Sequence, residues 1–315
     1  MEKDITTKAL LENNDVFADI ANVNIFKGEK ILHSEELENI SIHTSYRDAG
    51  GKHRELFRDV LKKAKNLGGC IAFIGYENQT GISNIMPVRN MGYTYTSYMS
   101  QIREMIAENK EKEGVAYAKG IHDDQKLFPV VTFVLYFGKE PWESPRSLMD
   151  MLMIPEDEKD FWSELVTDYP IHVISMANQP EEVRKQYQSD YGVIADYLAY
   201  QSDWEGLKKH LRQDKRKLIH TEQVLEMLEA LSGDKRFEMM RKTYIQNEEK
   251  EECDRMCLLL DMCEEEGMQK GMKKGMQDGI LLTKLVFKRQ SEGLQPEEIA
   301  KVENIDLELV LKILE

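Results

Sequence analysis

The sequence has no long hydrophobic run. None of its apolar stretches approaches the ~20 residues that a membrane-spanning helix needs. The N-terminal segment MEKDITTKALLENND lacks the basic region and the apolar stretch that together make a secretory signal. We therefore expect a cytoplasmic protein with no membrane partner.

Cysteine is scarce, with four residues in a chain of 315: Cys70, Cys253, Cys257 and Cys263. The last three fall in one stretch with a helical pattern, and no histidine stands at ligand spacing beside them. A structural zinc site needs four ligands, so this stretch is one short. The sequence therefore predicts cysteines packed on a helix and no structural metal there.

Positive charge is also in deficit, since 42 Lys and Arg stand against 57 Asp and Glu, a net charge of −15. This balance argues against a protein that coats nucleic acid through bulk electrostatics. The deficit is uneven: residues 1–150 carry 19 basic and 22 acidic side chains, and residues 151–315 carry 23 and 35. The N-terminal half can therefore approach a polyanion without strong repulsion.

Several catalytic and nucleotide-binding motifs are missing as well. No glycine-rich GxGxxG or GxxxxGK[ST] loop occurs in a phosphate-binding context, so no kinase or nucleotide-dependent motor is indicated. The seven histidines are scattered, and none forms the paired arrangement of a zinc metalloprotease.

Apolar periodicity predicts an α/β protein. Helices are expected over residues 4–26 and 85–112, the second with Pro87 in its first turn, and from about residue 180 onward. Lys62–Gly69 is polar and ends in glycine, so it is predicted to be a hairpin loop. Strands are predicted at residues 39–46, 55–61, 70–76, 129–138 and 171–176.

Interleaved strands and helices predict a mixed sheet flanked by helices, followed by an all-helical C-terminal region. We divide the chain into a core over residues 1–178, a helical extension over 179–250 and a helical tail over 251–315.

The tail carries a glycine repeat, with Gly267, Gly271, Gly275 and Gly279 each followed by Met or Ile. On a helix a four-residue step advances about 40°, so the glycines trace a slowly drifting stripe. Such a stripe lets another helix approach closely, which indicates a homo-oligomer through the tail. A flexible low-complexity linker is the alternative interpretation.

Residues 292–315 predict two short helices around a turn at Glu303–Asp306, without the basic recognition helix of a DNA-binding motif.

Two acidic residues in the predicted sheet are candidate metal ligands. Asp59 lies on the extended stretch before the predicted hairpin loop, and Glu77 follows the apolar run CIAFIGY. A hairpin between them would bring both carboxylates to the same end of the sheet. Glu77 and Gln79 would share a face, since side chains two residues apart on a strand point the same way. Carboxylate and amide oxygens are hard ligands suited to Mg²⁺ or Mn²⁺.

The same region resembles the PD-(D/E)XK nuclease family transposases, relatives of the Rpn recombination-promoting nucleases. The resemblance is carried by an Asp on one strand (Asp59), a Glu-x-Gln at the end of the next (residues 77–79) and a Met-Pro-x-Arg helix start (residues 86–89). Further segments that look familial are FADI at 17–20, VLYFGKEPWESPRSLMDML at 134–152 and SDYGVIADYL at 189–198. The resemblance spans residues 8–200 and implies a restriction-endonuclease-like core.

The resemblance implies roles for individual residues. Asp59, Glu77 and the Asn78 carbonyl would bind Mg²⁺ or Mn²⁺, and Gln79 would position the attacking water. The first helix would add an acid, for which Asp19 is the better candidate and Asp15 the alternative. The wider family has a lysine where Gln79 stands, which implies a slower enzyme or a second metal ion.

Beside these family positions, Arg89 at the helix start could contact a substrate phosphate. A surface salt bridge is the alternative role for Arg89. Tyr93, on the same helix, is expected to pack in the core.

The sequence thus favours a metal-dependent DNA endonuclease that hydrolyses phosphodiester bonds, a transposase or recombination-promoting nuclease. The alternative is a catalytically inactive relative that acts as an oligomeric interaction or DNA-binding module. Gln79 and the acidic charge motivate this second hypothesis.

Overall fold

The computed structural model describes residues 8–40, 45–47, 53–55, 59–67, 70–113, 120–246 and 255–315. The chain divides into two compact units, Met1–Cys257 and Leu258–Glu315. The boundaries at residues 178 and 250 remain predictions. None of the helices among the described residues combines the length and the hydrophobicity that a membrane span requires. Cys253 lies outside the described residues.

The first unit contains strands and helices, as the sequence predicts. Its strands are β1 (Leu37–Asn39), β2 (Ser45–Arg47), β3 (His53–Glu55), β4 (Val60–Leu67), β5 (Cys70–Gln79), β6 (Val130–Tyr136) and β7 (His172–Ser175). Its helices are α1 (Asn14–Asn24), α2 (Met86–Glu113), α3 (Lys159–Leu165), α4 (Glu181–Arg184), α5 (Tyr191–Ala199), α6 (Trp204–Gln213), α7 (Thr221–Ser232) and α8 (Lys235–Gln246). Single 3-10 turns lie at Ser34–Glu36, Met149–Met151 and Glu156–Glu158.

Five of the strands form one mixed sheet in the order β1-β4-β5-β6-β7. The β1–β4 and β4–β5 pairs are antiparallel, and the β5–β6 and β6–β7 pairs are parallel. β2 and β3 form a separate antiparallel pair. The apolar run of β6 suits its position between two parallel neighbours, where both faces of a strand are covered. The prediction of a mixed α/β fold is therefore confirmed.

Helices cover the two faces of this sheet. On one face the α1 residue Phe17 stacks on Tyr76 of β5, with ring centroids 4.2 Å apart, and the Tyr76 hydroxyl donates to the Phe17 carbonyl. On the other face α2 contributes Met86 and Tyr93 to a cluster with Val134. Because side chains alternate along β5, Tyr76 points toward α1 and Glu77 points toward α2.

The predicted hairpin loop at Lys62–Gly69 is wrong for most of its length, because β4 continues to Leu67. Lys62 is fully buried on the α1 face of this strand. Its ammonium donates to the Glu12 carbonyl and to the side-chain oxygens of Asn14 and Asn39. A lysine satisfied in this way can occupy a core position, although its polarity in the sequence indicates a loop.

The other boundaries differ less from the predictions. The predicted helix over 4–26 is interrupted, because Asn13 is extended and its side chain donates to the Ala9 and Leu10 carbonyls. Residues 4–7, 41–44, 56–58 and 68–69, which belong to predicted elements, lie outside the described residues. The helix with Pro87 in its first turn and the strand over 129–138 are confirmed.

The second unit is helical and consists of α9 (Met256–Ser291, apart from its first two residues), α10 (Pro296–Glu303) and α11 (Leu307–Leu314). The glycine repeat lies within α9, which is a continuous helix. Asn304 between α10 and α11 is in the left-handed conformation, with φ of 53°, which ends α10. Val286, Ile299 and Val310 form the core of this unit. The predicted helical C-terminal region is confirmed.

Candidate active site

Asp59 and Glu77 lie at the same end of the β4–β5 pair. The last paired residues there are Val60 and Tyr76, and the same register continued by one residue sets Asp59 opposite Glu77. One Asp59 carboxylate oxygen, Oδ2, accepts the backbone N–H of Asn78 at 2.7 Å. Glu77 lies on the face that α2 covers, and the Asp59 carboxylate is close enough to that face for its charge to act on Arg89 of α2.

The Glu77 carboxylate is nearly buried, with 3% of its side chain exposed, and it is held by several donors. Its Oε1 accepts from Arg89 Nη2 at 2.5 Å, from the Tyr93 hydroxyl at 3.0 Å and from Gln79 Nε2 at 3.2 Å. A buried carboxylate is stable when it is paired and hydrogen-bonded, and these three donors satisfy its Oε1. The first two come from α2 and the third from β5.

Tyr93 links the cation to the carboxylate. Its hydroxyl accepts from Arg89 Nη2 at 2.7 Å and donates to Glu77 Oε1. Burial and then the neighbouring Glu77 carboxylate raise the pKa of Tyr93 well above its ordinary value. The phenol therefore stays protonated and remains a donor at neutral pH.

Arg89 is held as a cation at this position. Burial lowers its pKa, but the charges of Glu77 and Asp59, together with Tyr93, more than offset that effect and raise the pKa overall. About a third of the Arg89 side chain is exposed, 32%, so its guanidinium is reachable from solvent as well as bonded to Glu77. The sequence left two roles open for Arg89, a phosphate contact and a salt bridge. The structure contains a salt bridge, to Glu77, and the phosphate contact stays a prediction.

Asn78 and Gln79 point to opposite faces of β5. The Asn78 side chain lies on the α1 face, where its amide nitrogen and oxygen are buried with no hydrogen-bond partner among the described residues. Its backbone N–H is the donor to Asp59. The role of the Asn78 carbonyl as a metal ligand stays a prediction.

The structure does not bring Asp19 into this cluster. Asp19 lies on α1, and its Oδ2 accepts from the backbone N–H groups of Gln188 and Ser189 and from the Ser189 hydroxyl, at 2.7–2.8 Å. Asp15 pairs with His220 at 3.0 Å. Asp19 therefore ties α1 to the segment before α5, and Asp15 ties it to the start of α7, both far along the chain from Glu77. Across the described ranges, no three His, Cys, Asp or Glu side chains converge as a metal-binding group.

Tyr93 is the member of the cluster that the sequence interpretation missed. Arg89 and Tyr93 stand four residues apart on α2, so they lie on one helix face. That spacing could have suggested a shared partner, but the partner itself depends on how α2 crosses the sheet.

Comparison with known proteins identifies no relative: no family model, no curated protein and no solved structure matches this chain. The functional argument therefore depends on the site itself.

Proposed function

We propose that this protein is a Mg²⁺- or Mn²⁺-dependent DNA endonuclease with a restriction-endonuclease-like core of the PD-(D/E)XK type. The observation that carries the proposal is that Asp59, which accepts the Asn78 N–H at the end of the β4–β5 pair, lies next to Glu77 and to Arg89, whose cation both carboxylates stabilise. Two carboxylates at a strand end, next to a guanidinium, suit the hydrolysis of a phosphodiester.

The donor set fits a hard divalent cation. Asp59 and Glu77 supply carboxylate oxygens from adjacent strands, which is the ligand chemistry that Mg²⁺ and Mn²⁺ prefer. Asp59, Glu77 and the Asn78 carbonyl would hold the ion; Asp19, bound to Ser189, is not part of the proposed set. When bound, such an ion polarises the phosphodiester and lowers the pKa of water.

The chain's own side chains would perform the remaining tasks. Arg89, partly exposed, would turn from Glu77 to bind a phosphate oxygen, for which its planar donor array is suited. Gln79 would orient the attacking water through its amide. Tyr93, protonated, would keep Glu77 in place when Arg89 moves.

The test is nicking of supercoiled plasmid with Mg²⁺ or Mn²⁺, accompanied by calorimetric titration of each metal. Asp59→Asn and Glu77→Gln keep the side-chain shape, and each should lower the nicking rate at least ~100-fold and weaken metal binding. Glu104→Gln, an exposed acid further along α2, is the matched control and should cut like the wild type. Nicking that survives in both site variants would refute the site assignment.

A second candidate is an inactive relative that binds DNA or other proteins without cutting. It is favoured by the Glu77–Arg89 pair, because Arg89 already supplies the positive charge that a metal would bring, and by glutamine at position 79. Folded wild-type protein that neither nicks DNA nor binds either metal would support this candidate over the nuclease.

A further inference from the structure

The glycine-repeat part of α9 presents an apolar face with nothing of its own unit on it. Met268, Met272 and Met276 are 70%, 73% and 70% exposed, and Ile280 continues the row. Each four-residue step turns the helix by about 40°, so these four side chains occupy one face about 120° wide. We refer to them as the α9 methionine face.

No contact within the described part of the chain requires glycine rather than a larger residue at the four glycine positions beside this face. A Cβ added at Gly267, Gly271, Gly275 or Gly279 would meet nothing within 4 Å. Each glycine nevertheless costs a helix about 1 kcal/mol relative to alanine. Contacts outside the single chain would offset this cost.

A complementary surface lies at the other end of the second unit. Residues Ile299 and Val310 pack α10 and α11 against Val286, near the C-terminal end of α9. α11 leaves Leu307 and Leu311, one turn apart, exposed beside Glu308. Met272 lies 14 residues before Val286, which is ~21 Å along the helix. α11 therefore cannot cover the methionine face of its own chain.

The charges of the two surfaces are opposite. Residues 267–291 contain six Lys and Arg and one Asp, whereas residues 292–315 contain seven Asp and Glu and two Lys. Within the chain these charges meet at Arg289, which pairs with Glu292 and Glu303. In the described part of the chain, no acidic side chain pairs with the exposed Lys273 or Lys274. A second copy carries the acidic, leucine-edged surface that fits them.

We propose that two copies of this chain associate through their second units. The α9 helices run antiparallel, centred near Ile280, and α11 of each copy lays Leu307 and Leu311 on the partner's methionine face. Glu308 then lies near the partner's Lys273. This arrangement uses the same two surfaces twice and closes with two-fold symmetry, so it ends at a dimer. Apolar burial supplies the affinity and the charges set the orientation.

The test measures the dimer dissociation constant of the full chain by analytical ultracentrifugation. Met276→Glu places an acid in the apolar face and should weaken the dimer at least ~10-fold. Gln277→Glu adds the same charge one residue away and off that face, so it should change the constant less than ~2-fold. Both positions are exposed, and circular dichroism should show unchanged helix content in both variants.

Charge reversal tests the pairing of α11 with α9. Lys273→Glu and Glu308→Lys should each weaken the dimer, and the two together should restore it to within ~3-fold of the wild type. The proposal would be overturned if the wild type stayed monomeric at about 100 µM protein, or if Met276→Glu left the dimer dissociation constant unchanged. A dimer that the double reversal fails to restore would overturn the α11–α9 pairing. None of these outcomes depends on nuclease activity.

Discussion

Replacing Lys62 by methionine is expected to destabilise the first unit by ~2–4 kcal/mol. The ammonium donates to the Glu12 carbonyl at 2.7 Å, to Asn14 Oδ1 at 2.6 Å and to Asn39 Oδ1 at 2.5 Å. Methionine keeps most of the buried stem but leaves three acceptors without this donor. Each such loss costs ~0.5–1.5 kcal/mol, and the three losses together give about the stated range.

The difference in unfolding free energy between the wild type and Lys62→Met should also depend on pH, and the burial of Lys62 determines whether it rises or falls. Burial lowers the pKa of Lys62 from 10.5 to about 8, against the smaller opposing effects of Glu12 and Asp15. Between pH 8 and pH 10.5 the unfolded chain therefore binds more protons than the folded chain. The stability of the wild type should rise through that window relative to the variant, by up to ~3 kcal/mol in total.

Urea unfolding followed by tryptophan fluorescence measures both effects, because Trp142, Trp162 and Trp204 all belong to the first unit. Unfolding free energies of the wild type and Lys62→Met are compared at pH 7, 8, 9 and 10. Lys63→Met, on the opposite face of the same strand, is the control and should cost less than ~1 kcal/mol. A Lys62→Met variant as stable as the wild type, or a difference that does not grow above pH 8, would refute the reasoning.

Two further substitutions test other contacts. Tyr93→Phe removes the hydrogen bond to Glu77, so nicking should slow ~10-fold with the melting temperature lowered by only a few degrees; an unchanged rate would contradict the positioning role. Gly192→Ala would put a Cβ 1.5 Å from Arg216 Nη1, and it should cost ~1–3 kcal/mol in urea unfolding because Asp196 and Asp214 hold this guanidinium in place through its Nη2. Gly81→Ala, with open space around its Cβ, is the matched control, and equal effects of the two would contradict the steric argument.

Local pattern was sufficient for much of the fold. Side-chain shape favours strands in the β-branched run of β6 and in the apolar residues 70–74 of β5. The restricted φ of Pro87 suits the first turn of α2. The acid pair was also predictable in part, because a hairpin connection forces β4 and β5 to lie side by side. Asp59 and Glu77 then lie at the same end of the strand pair, because they stand at similar distances before and after the connection between the strands.

Position in the tertiary structure decided what the local pattern could not. Lys62 is polar and stands in a polar segment that looks like a loop. Its place in a strand depends on acceptors just before α1, in α1 and in β1, up to 50 residues away in sequence. Asp19 has the sequence context of a ligand, yet the packing of α1 directs it to Ser189. The Glu77–Arg89–Tyr93 network forms because α2 crosses the face on which Glu77 lies. The sequence by itself determined which residues could pair, but only the packing of helices on the sheet decided which of them do, because long-range polar contacts depend on distances that no local pattern encodes.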